Sequence, residues 1–204
     1  MKEQHSGNRI EQKTLKVTVY CGAATGKDPK YADWADRLGK WIADSRGELV
    51  FGAGGVGLMG IVAKSVLKHG GSAHGIIPQA LAERERPYEG LTTVEVVHDM
   101  DERKRRMMEL GDVYIAFPGG PGTVEEITEA FSWARIGLTS KPCVFFNLDG
   151  YWDPIRTMYQ RMVDNGFLNQ GSFDKLLFAN SFDEIIPWAR QYVPPTVRTY
   201  TRTQ

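Results

Sequence analysis

The stretch Asp112-Val113-Tyr114-Ile115-Ala116-Phe117-Pro118-Gly119-Gly120-Pro121-Gly122-Thr123-Val124-Glu125-Glu126 decides how this chain folds. Residues 112–117 form a short apolar run rich in β-branched and aromatic side chains, which predicts a buried strand. Pro118 to Gly122 interrupts it, and residues 123–136 then read as a helix. A buried strand that passes through glycines into a helix is the building unit of a parallel sheet covered by helices.

Working outward, the same unit recurs. Residues 15–21 read as a strand, followed by a helix over about 29–43 with Tyr31, Trp34, Ala35, Leu38, Trp41 and Ile42 at helical spacing. Residues 48–52 are a second strand, followed by a glycine-rich turn and a helix that His69-Gly70-Gly71 closes. Strands follow at 72–77, stopped by Pro78, and at 93–97, then a helix over 100–110. Beyond the quoted stretch come a strand at 142–147, a helix at 152–164, a short strand at 176–179 and a last helix at 182–192. The pattern implies an α/β, Rossmann-like open parallel sheet of about seven strands with helices on both faces.

The 204 residues suit one domain over 14–193. Residues 1–13 form a polar tail, and residues 194–204, opening on Pro194-Pro195, form a second tail with no apolar face. The charged segment 83–87 reads as a solvated loop or a short helix. Lys and Arg number 25 against 25 Asp and Glu, so the total charge points to neither a nucleic-acid partner nor an acidic membrane. The beginning lacks the apolar core of a signal peptide and no stretch is apolar enough to span a bilayer, which suggests a cytoplasmic protein. Cys21 and Cys143 end apolar runs and read as small buried hydrophobes.

In open sheets of this kind ligands bind beyond the carboxyl ends of the strands, so chemistry is sought in glycine-rich turns that follow strands. Three qualify. Gly22-Ala23-Ala24-Thr25-Gly26 has too few residues between its glycines for a P-loop, and Asp28 stands where a metal-binding Ser or Thr is needed. A tight turn into a helix also accounts for it. The run from Gly52 to Gly60 contains G-x-G-x-x-G twice, but the next strand ends Ile76-Ile77-Pro78-Gln79, without the acidic residue that would hold a ribose hydroxyl of NAD. Close packing of strand, turn and helix explains these glycines, and so does a mononucleotide.

The third turn places Gly119, Gly120 and Gly122 between strand and helix, with Thr123 as a good N-cap. Amides of the turn and of the first helical turn would converge on one point, where the helix dipole favours a phosphate. Pro121 donates no N–H, so the cradle relies on the glycines, Thr123 and the residues beyond. Thr123-Val124-Glu125-Glu126 also fits a capping box, in which Glu126 merely bonds back to its cap, and Glu125 could simply complement the dipole. A catalytic Glu126 gains from its neighbourhood. Met100-Asp101-Glu102-Arg103-Lys104-Arg105-Arg106-Met107 begins just after the fourth strand, so its helix start is expected on the same sheet edge as the Pro-Gly-Gly turn, one strand away. Arg103 shares a side with Arg106 or Met107, while Lys104 and Arg105 point elsewhere, so one or two of these cations can reach the phosphate site.

These residues resemble the LOG (Lonely Guy) family of cytokinin-activating phosphoribohydrolases, whose bacterial members often carry the label of possible lysine decarboxylases. The family marker P-G-G-x-G-T-x-x-E is matched by Pro118 to Glu126, and the segment M-x-E-R-K by Met100 to Lys104. Cys21-Gly22, the run Gly54 to Gly60, Trp133 to Gly137 and Gly150-Tyr151-Trp152-Asp153-Pro154 extend the similarity over about 17–192. The resemblance implies hydrolysis of the N-glycosidic bond of a purine ribonucleoside 5′-monophosphate, of the AMP or N6-modified adenine type, to free base and ribose 5-phosphate. It implies Arg103 and Glu126 as the catalytic pair. Substrate contacts would come from them and from Gly22, Lys104, Gly119, Gly120, Pro121, Gly122, Thr123, Glu125 and Ser132. No metal or organic cofactor is implied, and a homodimer is, served by the helix around Trp133.

The residue types suit that chemistry: breaking a ribosyl bond develops positive charge on the sugar, which a carboxylate stabilises while it activates water. Ala23 where serine is common, Asp101 where histidine is frequent, Pro121 where an aromatic or small residue is usual, and Ala80 where some members carry glutamate leave the preferred base open. A non-catalytic nucleotide sensor on the same fold is the alternative. A lysine decarboxylase would need a lysine placed to form an aldimine with pyridoxal phosphate, and none is evident.

Overall fold

The structure, a computed structural model, describes residues 14–84 and 87–197. The expected tail 1–13, the end of the other tail and two residues of the charged segment therefore lie outside the described residues. Seven strands, Lys16–Tyr20 (β1), Glu48–Phe51 (β2), Ser72–Pro78 (β3), Thr93–Val97 (β4), Val113–Ala116 (β5), Cys143–Phe146 (β6) and Leu176–Ala179 (β7), form one sheet in the order β4-β3-β2-β1-β5-β6-β7. Every pairing is parallel. The helices are Lys30–Asp44 (α1), Gly57–Lys68 (α2), Gln79–Ala82 (α3), Met100–Leu110 (α4), Pro121–Arg135 (α5), Asp153–Asp164 (α6), Gln170–Phe173 (α7) and Ile185–Arg190 (α8).

Both faces of the sheet are buried, so the strands read as nearly continuous apolar runs whose alternate side chains go to opposite cores. Val17, Val19, Leu49, Phe51, Val113, Ile115, Val144 and Phe146 meet Leu38 and Ile42 of α1, Val62 and Val66 of α2, and Ile185 of α8. Tyr20, Val50, Ile76, Tyr114, Ala116 and Phe145 meet Met107 and Met108 of α4, Ile127, Ala130 and Phe131 of α5, and Tyr159 of α6. Each fully buried Val, Leu or Phe contributes about 1.5–3 kcal/mol relative to exposure. At the outer edge β4 is half covered, with Val94 and Val96 exposed.

Three boundaries differ from expectation. Pro78 closes β3 inside the ladder, paired with Val97, because the last residue of a strand can forgo a donor. The last helix is shorter than 182–192. Ser181 and Glu184 form a capping box on the short 3-10 turn Phe182–Glu184, and Pro187 is tolerated in the first turn of α8. The third difference, at the start of α5, concerns the site.

Strand order reverses between β1 and β5, whose chains leave in opposite directions along the sheet. That opens a crevice beyond their carboxyl ends. Its floor is tied by Phe117 N–H donating to the Tyr20 carbonyl at 2.9 Å and by Gly22 N–H donating to the Pro118 carbonyl at 3.2 Å.

Candidate active site

The turn after β5 enters α5 two residues earlier than the sequence suggested. Gly120 is the N-cap, without a side-chain cap, and Pro121 occupies the first turn. Proline fits there because its missing N–H would have had no helical partner and its φ is already helical. Thr123 is therefore no N-cap, and the capping box with Glu126 does not form. The Thr123 side chain is buried under Gly119, where an added Cβ would stand 2.2 Å from Thr123 Oγ1 and 2.8 Å from the Gly22 nitrogen. By contrast, a Cβ on Gly120 or Gly122 would meet nothing within 4 Å. The amides of Gly119, Gly120, Gly122 and Thr123 donate to no acceptor among the described residues. Unclaimed donors at a helix N-terminus, two of them on the open Gly120 and Gly122, have the arrangement that can hold an anion.

The neighbouring helix is the one with the strong cap. Asp99 accepts from the Glu102 amide at 2.8 Å, and Glu102 in turn accepts from the His98 amide at 2.7 Å. This fixes the first turn of α4 and aims the next side chain, Arg103, inward. Arg103 is only 9 % exposed. Its Nε donates to the Ile76 carbonyl at 3.2 Å and its Nη1 approaches Met100 Sδ at 3.6 Å. The guanidinium lies across Gly52, where a Cβ would fall 1.6 Å from Nη2.

Glu126 stands one turn along α5, half-buried. Burial pushes its carboxyl up to about 7, against the pull of Arg103, with Glu125 and Glu129 raising it further and Lys104 lowering it. Its charge also reaches Tyr20 and Cys21 at the end of β1, adding to the upward push that burial exerts on both. Arg103 and Glu126 thus face each other electrostatically, yet no ion pair within 4 Å joins them among the described residues. Such spacing leaves both free to engage a third group.

The other expected residues divide. Lys104 bonds Glu125 at 2.5 Å and Glu129 at 2.9 Å, and Glu125 pushes its ammonium further up. Arg106 turns away to Glu95 and Glu109. Gly22, Gly119 and Gly120 line a hollow of about 310 Å³ at the β1–α1 turn. Gly119, Gly120, Pro121, Glu125 and Ser132 line a wider groove of about 880 Å³ along α5. Arg103 of α4 and Glu126 of α5 line neither. Tyr151, which the sequence reading did not single out as a site residue, lines both hollows and donates its phenol O–H to the Gly119 carbonyl at 2.7 Å. Only its place in the Gly150-Tyr151-Trp152 segment could have signalled it.

Comparison with known proteins shows the family. The family model described as "Possible lysine decarboxylase" matches residues 59–187. A cytokinin riboside 5′-monophosphate phosphoribohydrolase of Rhodococcoides fascians is 40% identical over 171 residues, covering 83% of this chain and 86% of that protein. The Arabidopsis thaliana cytokinin riboside 5′-monophosphate phosphoribohydrolase LOG7 is 37% identical over 179 residues, 88% of this chain and 82% of the other. Among solved structures, the molybdenum cofactor carrier protein of Chlamydomonas reinhardtii superposes with a TM-score of 0.64 at 20% identity, covering 83% of this chain and 91% of that one. At that identity the likeness is one of fold alone. With both motifs in place and relatives matched along most of its length, the chain belongs to the LOG family, the one whose model bears the lysine decarboxylase description.

Proposed function

We propose that this protein hydrolyses the N-glycosidic bond of a purine ribonucleoside 5′-monophosphate, of the AMP or N6-modified adenine type, releasing free base and ribose 5-phosphate. The observation that carries this reading is the pairing of an anion cradle at Gly119 to Thr123 with a carboxylate whose pKa lies near neutrality. The 5′-phosphate takes the unclaimed amides, which sets the ribose against Glu126. As the C1′–N bond lengthens and the sugar gains positive charge, the carboxylate stabilises it and accepts a proton from the attacking water. A pKa near 7 suits a group that must be a base in one step and release its proton in the next. Arg103 presents its planar fork to the ribose hydroxyls and draws the Glu126 carboxyl down against the push of burial.

The decarboxylase description does not suit these residues. A lysine that forms an imine must be neutral. Two lysines near the turns, Lys104 and Lys30, are ion-paired and pushed up by hydrogen bonds to Glu125 and Asp149. No described helix is long and apolar enough to cross a membrane. Two free buried cysteines support a reducing, cytoplasmic setting. Homodimerisation through the α5 side is supported by Ile136 and Leu138, exposed just beyond the helix.

Incubation with a panel of nucleoside monophosphates, read by chromatography of free base and by a ribose 5-phosphate assay, tests the reaction. Glu126→Ala and Arg103→Ala should each lower turnover by roughly 10²–10⁴-fold, the range for loss of a general acid–base group, with unchanged circular dichroism. Absence of release from every monophosphate refutes the hydrolase, and nucleotide binding that tolerates Glu126→Ala would identify a sensor instead.

A further inference from the structure

We propose that Tyr151 is a positioning residue for the phosphate cradle, holding the Gly119 carbonyl turned outward so that the Gly120 amide faces the bound phosphate. The inference rests on the reading of this turn as the 5′-phosphate site. In a trans peptide the C=O and N–H point in opposite directions, so fixing one fixes the other. The peptide between Gly119 and Gly120 has no Cβ at either end and is the one in the turn freest to rotate. Turned over, it would present a carbonyl oxygen to the anion and withdraw a donor. The Tyr151 phenol, at 2.7 Å from the Gly119 oxygen, opposes that rotation.

The phenol is itself held on several sides. Asp149 and Gly150 take φ of 49° and 77°, and the Gly150 position leaves no room for a side chain, since a Cβ would lie 2.6 Å from Asp153 Oδ2. Asn147 bonds Asp153 at 2.8 Å and accepts from the Trp152 amide at 2.7 Å, while Trp152 Nε1 donates to the Ala116 carbonyl of β5 at 3.2 Å. Lys30 of α1 pairs with Asp149 at 2.9 Å. The Tyr151 ring stands edge-on to Trp152 at 4.8 Å and to Tyr31 at 5.8 Å. This much scaffolding around an exposed tyrosine, whose hydroxyl has the Gly119 carbonyl as its one hydrogen-bond partner among the described residues, suits an orienting role better than packing.

Tyr151→Phe keeps both ring contacts and removes only the hydroxyl. The expected result is a five- to tenfold rise, about what one hydrogen bond is worth, in KM for the monophosphate and in the calorimetric Kd for ribose 5-phosphate. kcat should stay within twofold and thermal melting should not move. A ring that merely packs would leave KM unchanged. If wild type and variant bind ribose 5-phosphate equally, the inference is overturned while the phosphate site stands. If the wild-type protein binds no ribose 5-phosphate, the assignment of the turn falls and the inference falls with it.

Discussion

The turn after β2 and the turn after β5 both lead from a buried strand through glycines into a helix, yet their glycines face different things. In the first, an added Cβ would strike Arg103 Nη2 at 1.6 Å from Gly52, the Ala23 carbonyl carbon at 2.2 Å from Gly57, and the Gly55 oxygen at 2.3 Å from Gly60. In the second, Gly119 is packed but Gly120 and Gly122 face open space. One turn uses glycine so that the protein can approach itself; the other leaves its surface open, as the proposed phosphate site requires. A glycine motif thus acquires functional meaning only from what lies over it, and in the G-x-G-x-x-G run after β2 it is Gly52 that beds the Arg103 side chain.

The sharpest way to break this contrast is to add one methyl group to each turn. Gly52→Ala must evict the guanidinium, so kcat should fall by roughly two orders of magnitude, within the span for a lost acid–base or electrostatic group. Stability should drop by about 1–3 kcal/mol through overpacking. Gly122→Ala lies in the first turn of α5 with room around it, so stability should hold or rise by up to ~1 kcal/mol. Its KM should increase several-fold because the methyl group stands on the ligand face. Denaturant melts and steady-state kinetics on the pair separate the two roles. If Gly52→Ala retained its kcat, Arg103 would not be acting from where it lies.

The same contrast shows what could be read from sequence. β4, α4 and β7 span the residues that apolar patterning and glycine or proline punctuation gave them, because those signals are local, but β4 is not one strand from β5: β3, β2 and β1 stand between them, since strand order is set through space. The start of α5 was misplaced because two local rules compete at Pro121 and Thr123, and proline at the first helical position prevails when the threonine hydroxyl is already committed beneath Gly119. The cap on α4, Asp99 with Glu102, was legible as a pattern and went unread. The lodging of Arg103 over Gly52 and the Tyr151 bond to Gly119, 32 residues away, are through-space facts. No spacing rule announces them, although the motifs from which the resemblance was drawn contain Arg103, Gly119 and Glu126 themselves.

A site built for a ligand should also be less stable than its neighbours, and Glu126 makes that measurable. Its folded pKa, about 7, exceeds the unfolded value of roughly 4.3. A raised carboxyl means that the neutral form is preferred in the folded state. The associated stability is therefore full below the unfolded pKa and is lost as pH rises from about 4.3 to about 7. Glu126→Gln keeps the neutral shape at every pH, so at pH 8 it should be more stable than wild type by on the order of 2 kcal/mol while inactive. At pH 4 the difference should vanish. Thermal melts at the two pH values test this, and a difference independent of pH would show that burial does not act on this carboxyl.

The smallest expected effect concerns Lys104, which neighbours Arg103 on α4 but reaches Glu125 and Glu129 of α5 rather than Gly52. The groups facing Glu126 are Arg103 and Lys104 from α4, Glu125 and Glu129 from its own helix, and Tyr20 and Cys21 at the end of β1. The last two are pushed up and stay neutral in the working range, so the balance lies between two cations and two carboxylates. Lys104→Met removes a cation that lowers the Glu126 pKa and releases Glu125 and Glu129, which raise it. Both changes act in the same direction. If ionised Glu126 is the base, the acidic limb of the kcat profile should move upward by roughly half a unit to one unit, as expected for a partly buried charge near a carboxylate. kcat at pH 9 should remain near wild type, because there Glu126 is ionised in both proteins. A limb that stays in place would mean that Lys104 only braces α4 against α5, and that burial and Arg103 alone set the proton affinity of the glutamate.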